Sequence, residues 1–168
     1  MNIYRMNENA ELPEYATKGS ACFDIKACFK KGDMLKAYNS WNKQLDVAVK
    51  GVSTSIDAFQ LSPGIRVLIP TGLIFDVPEK HVMKLYIRSG SAFKKGLSLA
   101  NGTGIIDSDY TLETFIMLQN NTDSLVKITN GDRIAQGAIE KVIQQKFSET
   151  SKPMELTERD GGFGSTGD

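Results

Sequence analysis

The residues best suited to chemistry lie between Asn101 and Tyr110, where the chain reads NGTGIIDSDY and combines a turn signal, a carboxylate at Asp107 and an aromatic ring at Tyr110. Read on their own, Asp107 and Asp109 are what a solvated strand end also carries. Elsewhere, RSGSAFKKGL brings together the permanent charge of Arg88, the hydroxyl of Ser89 and an approachable N–H at Gly90, which are the groups a phosphate oxygen seeks. Asp24 in ATKGSACFDIKA and Gln136 in GDRIAQ are each ordinary exposed polar residues by type, although a glutamine amide can donate to a phosphate oxygen. His81 is the sole histidine, so histidine zinc sites and Ser-His-Asp or Cys-His pairs lack raw material and any catalysis must lean on carboxylates.

These residues must be held by strands and turns. Asn101-Gly102 between Leu97, Leu99 and Ile105, Ile106 predicts a β-hairpin tip, with Gly102 and Gly104 letting main chain approach a flat ligand edge. Ala21, Phe23 and Ile25 alternate with polar partners, as in a strand buried on one face, which turns Asp24 away from the core. Between residues 30 and 58 the recurrence of Leu35, Tyr38, Trp41 and Leu45 predicts a short helix, and Gly51 to Ser55 a loop or weak strand. From Phe59 onward short apolar runs alternate with turns such as Ser62-Pro63-Gly64 and Pro70-Thr71-Gly72. That pattern predicts an all-β barrel or sandwich.

The chain of 168 residues suits one domain, burying about 70% of its extended surface. Hydrophobic residues make up 40% and charged residues 24%, and the net charge is 0, which disfavours direct nucleic-acid binding while allowing a local cationic pocket. No apolar run reaches the roughly 18 residues of a membrane span, and Met1 to Glu14 lacks a signal-peptide core, so no membrane association and a cytoplasmic location are expected. Cys22 and Cys28 have no metal or redox spacing and read as buried small hydrophobes.

Gly104-Ile105-Ile106-Asp107-Ser108-Asp109-Tyr110 resembles the central motif of the trimeric dUTP pyrophosphatases (dUTPases), and four further stretches resemble the family's other motifs in order: Gly19 to Ile25, Arg88 to Gly90, Gly131 to Gln136, and Arg159 to Gly167. The resemblance implies a distorted jelly-roll-like β-barrel over residues 1–146, a mobile C-terminal arm over 147–168, and a homotrimer hydrolysing dUTP to dUMP and pyrophosphate. It further implies that Asp107 activates water for attack on the α-phosphate, and that Asp24 contacts, through water, a Mg²⁺ ion carried on the substrate. Arg88, Ser89, Gly90, Gln136, Arg159 and Ser165 inherit phosphate contacts. Asn101, Gly104, Ile105, Ile106 and Phe115 inherit the base, Tyr110 the sugar, and Phe163 a stacking role over the uracil.

Several positions depart from the family pattern: Ile87 replaces a common proline, Thr111-Leu112 replace arginine-glycine before Glu113, Gly137 stands where larger apolar residues are typical, and Arg159 lies one residue closer to Phe163. The 30–58 segment is similar to an insertion in dUTPases of staphylococcal phages, which implies a second role in binding a pathogenicity-island repressor and, for a phage protein, the host cytoplasm. Thr-Leu-Glu after Tyr110 also resembles dCTP deaminases, an alternative of the same fold; a regulatory protein-binding module is the alternative from a different class.

Overall fold

A computed structural model describes residues 1–52 and 56–152. Two five-stranded antiparallel sheets carry the fold. The first runs, in spatial order, β12 (Gly104–Ile106), β10 (His81–Tyr86), β15 (Arg133–Lys141), β3 (Phe23–Lys26) and β2 (Glu14–Tyr15). The second runs β11 (Leu97–Leu99), β13 (Phe115–Asn120), β8 (Arg66–Pro70), β4 (Met34–Tyr38) and β5 (Gln44–Ala48). A three-stranded sheet, β14 (Val126–Thr129), β7 (Ile56–Leu61) and β6 (Lys50–Val52), and a ribbon of β1 (Ile3–Arg5) with β9 (Leu73–Phe75) complete the strands. Among the described residues no helix is long and apolar enough to cross a membrane.

Alternation explains the core. Phe23 and Ile25 of β3, with Met83 and Leu85 of β10, turn inward and join Val67, Ile69, Ile116 and Leu118 of the second sheet in one apolar cluster. Asp24 and Lys26 point the other way, as expected, although Ala21 is exposed and precedes the strand. Cys28 is buried, and that burial pushes its thiol pKa up; Cys22 is only half-buried. The all-β, jelly-roll-like expectation therefore holds.

Two local expectations do not. Residues 34–48 form a hairpin rather than a helix: β4 pairs with β5 along its length and with β8 at Ala37 and Tyr38. Leu35 and Ala37 are buried while Trp41 is 81% exposed at the turn, so the segment is built into the sandwich. The three-and-four spacing was coincidental. The turn chemistry decides, because Asn39 Oδ1 accepts the N–H groups of Trp41 and Lys43, both at 3.0 Å, and Asn42 adopts φ 58.

The Asn101-Gly102 turn is real but joins two sheets instead of closing a hairpin. Gly102 has φ 71 and its N–H reaches Leu99 O at 3.0 Å. On either side, β11 pairs with β13 and β12 with β10. An Asn-Gly pair dictates a reversal of direction, and it says nothing about which strands the flanks will find.

Candidate active site

The phosphate-seeking residues converge at one end of the first sheet. Asp24 lies opposite Gln136 across β3 and β15, and Tyr86 lies on the other side of Gln136. From Tyr86 the chain continues to Arg88, the N-cap of α1 (Ser89–Lys95). Arg88 is extended and gives the first turn no side-chain hydrogen bond, and a first helical turn has no intrahelical acceptors for its N–H groups. A Cβ built at Gly90 would meet nothing within 4 Å, so its main chain is open to approach.

Charge is concentrated here. Arg88 Nε donates to Asp24 Oδ1 at 2.7 Å, Arg133 Nη1 donates to Asp24 Oδ2 at 3.0 Å, and Arg88 Nη1 donates to the carbonyl of Arg133 at 3.4 Å. Gln136 donates one amide N–H to the Ile87 carbonyl at 3.4 Å. Farther along the same face Glu140 accepts from Lys84 at 2.6 Å and Tyr86 at 3.1 Å. Those two donors hold the Glu140 carboxyl below the usual carboxylate range, and the Glu140 bond in turn raises the Lys84 ammonium.

The residues expected to meet the base form a second group. Asn101, Gly104, Ile105, Ile106 and Phe115 line a small pocket of about 80 Å³. Gly104 is required there for packing: a Cβ would stand 2.9 Å from Leu85 Cβ and Cδ1. Asp107 follows directly, its carbonyl accepting the Tyr110 N–H at 3.2 Å. Tyr110 in turn donates its hydroxyl to the Glu113 carbonyl at 2.9 Å, and the Glu113 carboxylate accepts the Gly72 N–H at 2.7 Å. Asp107 borders a separate open cleft of about 1110 Å³ that also meets Lys80, His81 and Asp109, and Tyr110 a third groove beside Tyr4 and Ile74. Ile105 touches both the small pocket and the Asp107 cleft.

One chain keeps the two groups apart. Asp107 continues β12 to the level of Val82, whereas Asp24 lies three strands away at the level of Tyr86. With strands about 4.8 Å apart and residues about 3.3 Å apart, the Asp107–Asp24 separation is on the order of 20 Å. Arg159, Phe163 and Ser165 lie outside the described residues. Two residues with structural claims on the site carried no clear signal in the sequence. Glu113 acts through a turn distant in the chain. Arg133 is joined to Asp24, and its three-residue spacing from Gln136 would place the two on opposite faces of a regular strand.

Comparison with known proteins gives the family. The family model described as dUTPase matches residues 53–167. A deoxyuridine 5'-triphosphate nucleotidohydrolase of Rhizobium rhizogenes is 35% identical over 169 residues, covering 99% of this chain and 93% of the relative. One from Brucella melitensis is 37% identical over 157 residues, covering 94% and 85%. Among solved structures, a Streptococcus mutans dUTPase matches with a TM-score of 0.65 at 25% identity, over 88% of this chain and 100% of the other. A Staphylococcus bacteriophage 80alpha dUTPase mutant solved with dUpNHpp matches with a TM-score of 0.73 at 22% identity, over 99% and 97%. With two thirds of its length under that family model and near full-length relatives above 30% identity, the chain belongs to the dUTPase family.

Proposed function

We propose that this protein hydrolyses dUTP to dUMP and pyrophosphate, with Asp107 drawing a proton from the water that attacks the α-phosphorus. The observation that carries this reading is the convergence of Asp24, Arg88 and Gln136 beside the open main chain of Ser89 and Gly90, on a chain whose relatives are named deoxyuridine triphosphate nucleotidohydrolases. Phosphoryl transfer depends mainly on alignment and charge neutralisation. Arg88, Ser89, the Gly90 N–H and Gln136 supply both for the triphosphate, with Arg159 and Ser165 of the C-terminal arm, while Phe163 covers the uracil. Asn101, the main chain of Gly104 to Ile106 and the strand at Phe115 form a rigid wall for the base. Such a wall excludes the thymine methyl by lack of room, which a soft apolar pocket does only by about 1 to 3 kcal/mol. Tyr110 packs on the sugar.

The donor set fits a magnesium ion carried by the substrate. Among the described residues no three His, Cys, Asp or Glu side chains cluster to hold a metal, and Mg²⁺ commonly relies on substrate phosphates and retained waters. Asp24 has about four lone-pair positions, of which the arginines take two, leaving acceptors for metal-bound water. When bound beside Asp24, the ion would neutralise phosphate charge. A phage phi11 dUTPase of S. aureus is described with a structural Mg(II) ion.

The distance between the two residue groups supports assembly with further copies, and we assign the family's homotrimer, in which the phosphate group of one subunit faces the base group of another. The test is pyrophosphate and dUMP release from dUTP with magnesium, against dCTP as control. Asp107→Asn should retain dUpNHpp binding and lose about 10² to 10⁴ in rate. Near-normal turnover by that variant would remove Asp107 as the base, and deamination of dCTP would favour the deaminase reading.

A second role rests on Trp41. Its indole is 81% exposed at the β4–β5 turn, with Tyr38 41% exposed beside it, the kind of aromatic anchor that protein interfaces use. Phage 80alpha dUTPases are described as controlling transfer of virulence genes, and residues 30–58 are assigned here to docking a pathogenicity-island repressor. Removing the whole segment would strip Leu35, Ala37 and Val49 from the core. Trp41→Ala is therefore the sharper test, losing repressor binding while dUTP hydrolysis persists.

A further inference from the structure

β15 breaks its own alternation next to the phosphate-seeking residues. Arg133 pairs with Lys26 and Ala135 with Ile25, so Ile134 is an extra residue in the ladder against β3. Ile134 and Ala135 are both buried, and the strand then resumes with Gln136 opposite Asp24. An inserted residue of this kind resets the period of two. Two side chains three positions apart, Arg133 and Gln136, can then share the outward face with Asp24.

The consequence is a closed ring of three residues. Arg133 Nη1 holds Asp24 Oδ2, Asp24 Oδ1 holds Arg88 Nε, and Arg88 Nη1 returns to the Arg133 carbonyl. Asp24 is the best shielded member, its side chain 16% exposed against 27% for Arg88 and 52% for Arg133. Two donors of the Arg88 guanidinium, Nε and Nη1, are thereby committed on its two sides, which fixes the plane of the group. Among the described residues, one N–H of Nη1 and both of Nη2 have no partner, and their orientation is set before any ligand arrives.

We propose that Arg133 is a positioning residue: through the bulge at Ile134 it fixes Asp24, and through Asp24 it aims the Nη2 end of Arg88 at a polyphosphate. The role rests on the hydrolase reading and deepens it. A side chain already ordered in its binding geometry forfeits less freedom on association, so affinity gains without a new contact. Arg133 in this account need not touch the phosphate.

The test is a double-mutant cycle on the full-length protein, reading dUpNHpp affinity by calorimetry in magnesium buffer together with Tm. Arg133→Met should weaken binding about tenfold, the scale of one charge-assisted hydrogen bond. Adding Arg133→Met to Arg88→Met should weaken binding no further than Arg88→Met alone, because a residue that acts through Arg88 has nothing left to act through. Arg133→Lys, which keeps a donor for Asp24, should recover most of the loss; it also carries the cycle if the Met variant is too unstable to assay. Affinity unchanged in Arg133→Met, with or without a lower Tm, would overturn the positioning role, and so would losses that multiply in the double variant. Failure of the wild-type protein to bind dUpNHpp would overturn the hydrolase reading itself, and this role with it.

Discussion

Gly137 offers a test of how tightly the sandwich is built beside the site. A Cβ at this position would stand 2.6 Å from Phe23 Cε2, 2.7 Å from Phe23 Cζ and 3.3 Å from Ile25 Cδ1. Favourable carbon contacts lie at about 3.5 to 4.0 Å, so the methyl group of Gly137→Ala overlaps the ring by about 1 Å. Phe23 has little freedom to yield. Its ring is 3% exposed, stacked on Phe75 at 6.1 Å between centroids and met edge-on by Tyr15 at 5.7 Å. Overpacking of this kind costs about 1 to 3 kcal/mol. At about 2 to 4 °C per kcal/mol for a domain of this size, Tm should fall by about 2 to 12 °C. Leucine at position 23 lacks the two clashing ring atoms, so Phe23→Leu with Gly137→Ala should lose less than the sum of the single changes, with coupling of about 1 to 2 kcal/mol. Scanning calorimetry at one fixed protein concentration is the assay, since the proposed trimer would make Tm concentration-dependent. Wild-type melting of Gly137→Ala, or strict additivity in the pair, would refute the idea that Phe23 fills the space beside Gly137.

Other substitutions probe the loops. Glu113→Ala leaves the partly buried Gly72 N–H without its carboxylate partner, which should cost about 1 to 3 kcal/mol in thermal melts, while Glu113→Gln keeps an acceptor and recovers most of it. Tyr110 donates to the main-chain carbonyl of Glu113, which this substitution keeps, so the preference for dUTP over UTP should be unchanged in Glu113→Ala; a raised UTP turnover would show that the Glu113–Gly72 bond also positions Tyr110. Trp41→Ala should alter stability by less than about 0.5 kcal/mol, and the wild-type fluorescence, from the chain's sole tryptophan, should be that of a solvated indole.

Much of the site was legible along the chain because its parts are short and local. Arg88-Ser89-Gly90 and Gly104 to Tyr110 carry their chemistry in a few consecutive residues, and the period of two at Phe23 to Lys26 announces which side Asp24 faces. Turn chemistry was equally readable at Pro63-Gly64 and at Asn101-Gly102. What failed was everything that depends on a distant partner. Leu35, Tyr38, Trp41 and Leu45 mimic a helical stripe, yet the Asn39 turn folds β4 onto β5, and β8 holds β4 in the sheet at Ala37 and Tyr38. The Asn-Gly turn joins two sheets because Leu97 to Leu99 find β13 and Gly104 to Ile106 find β10.

By itself, then, the order of residues determined a β-rich chain, the outward set of Asp24, and the chemical groups available at the candidate site. Tertiary structure alone decided which strands are neighbours, that Ile134 bulges and so brings Arg133 beside Asp24, and that Asp107 lies on the order of 20 Å from Asp24 within one subunit. The reason is physical: side-chain period and turn preference are properties of a few adjacent backbone torsions, whereas strand pairing and bulges are settled by packing and hydrogen bonds between segments far apart in the chain.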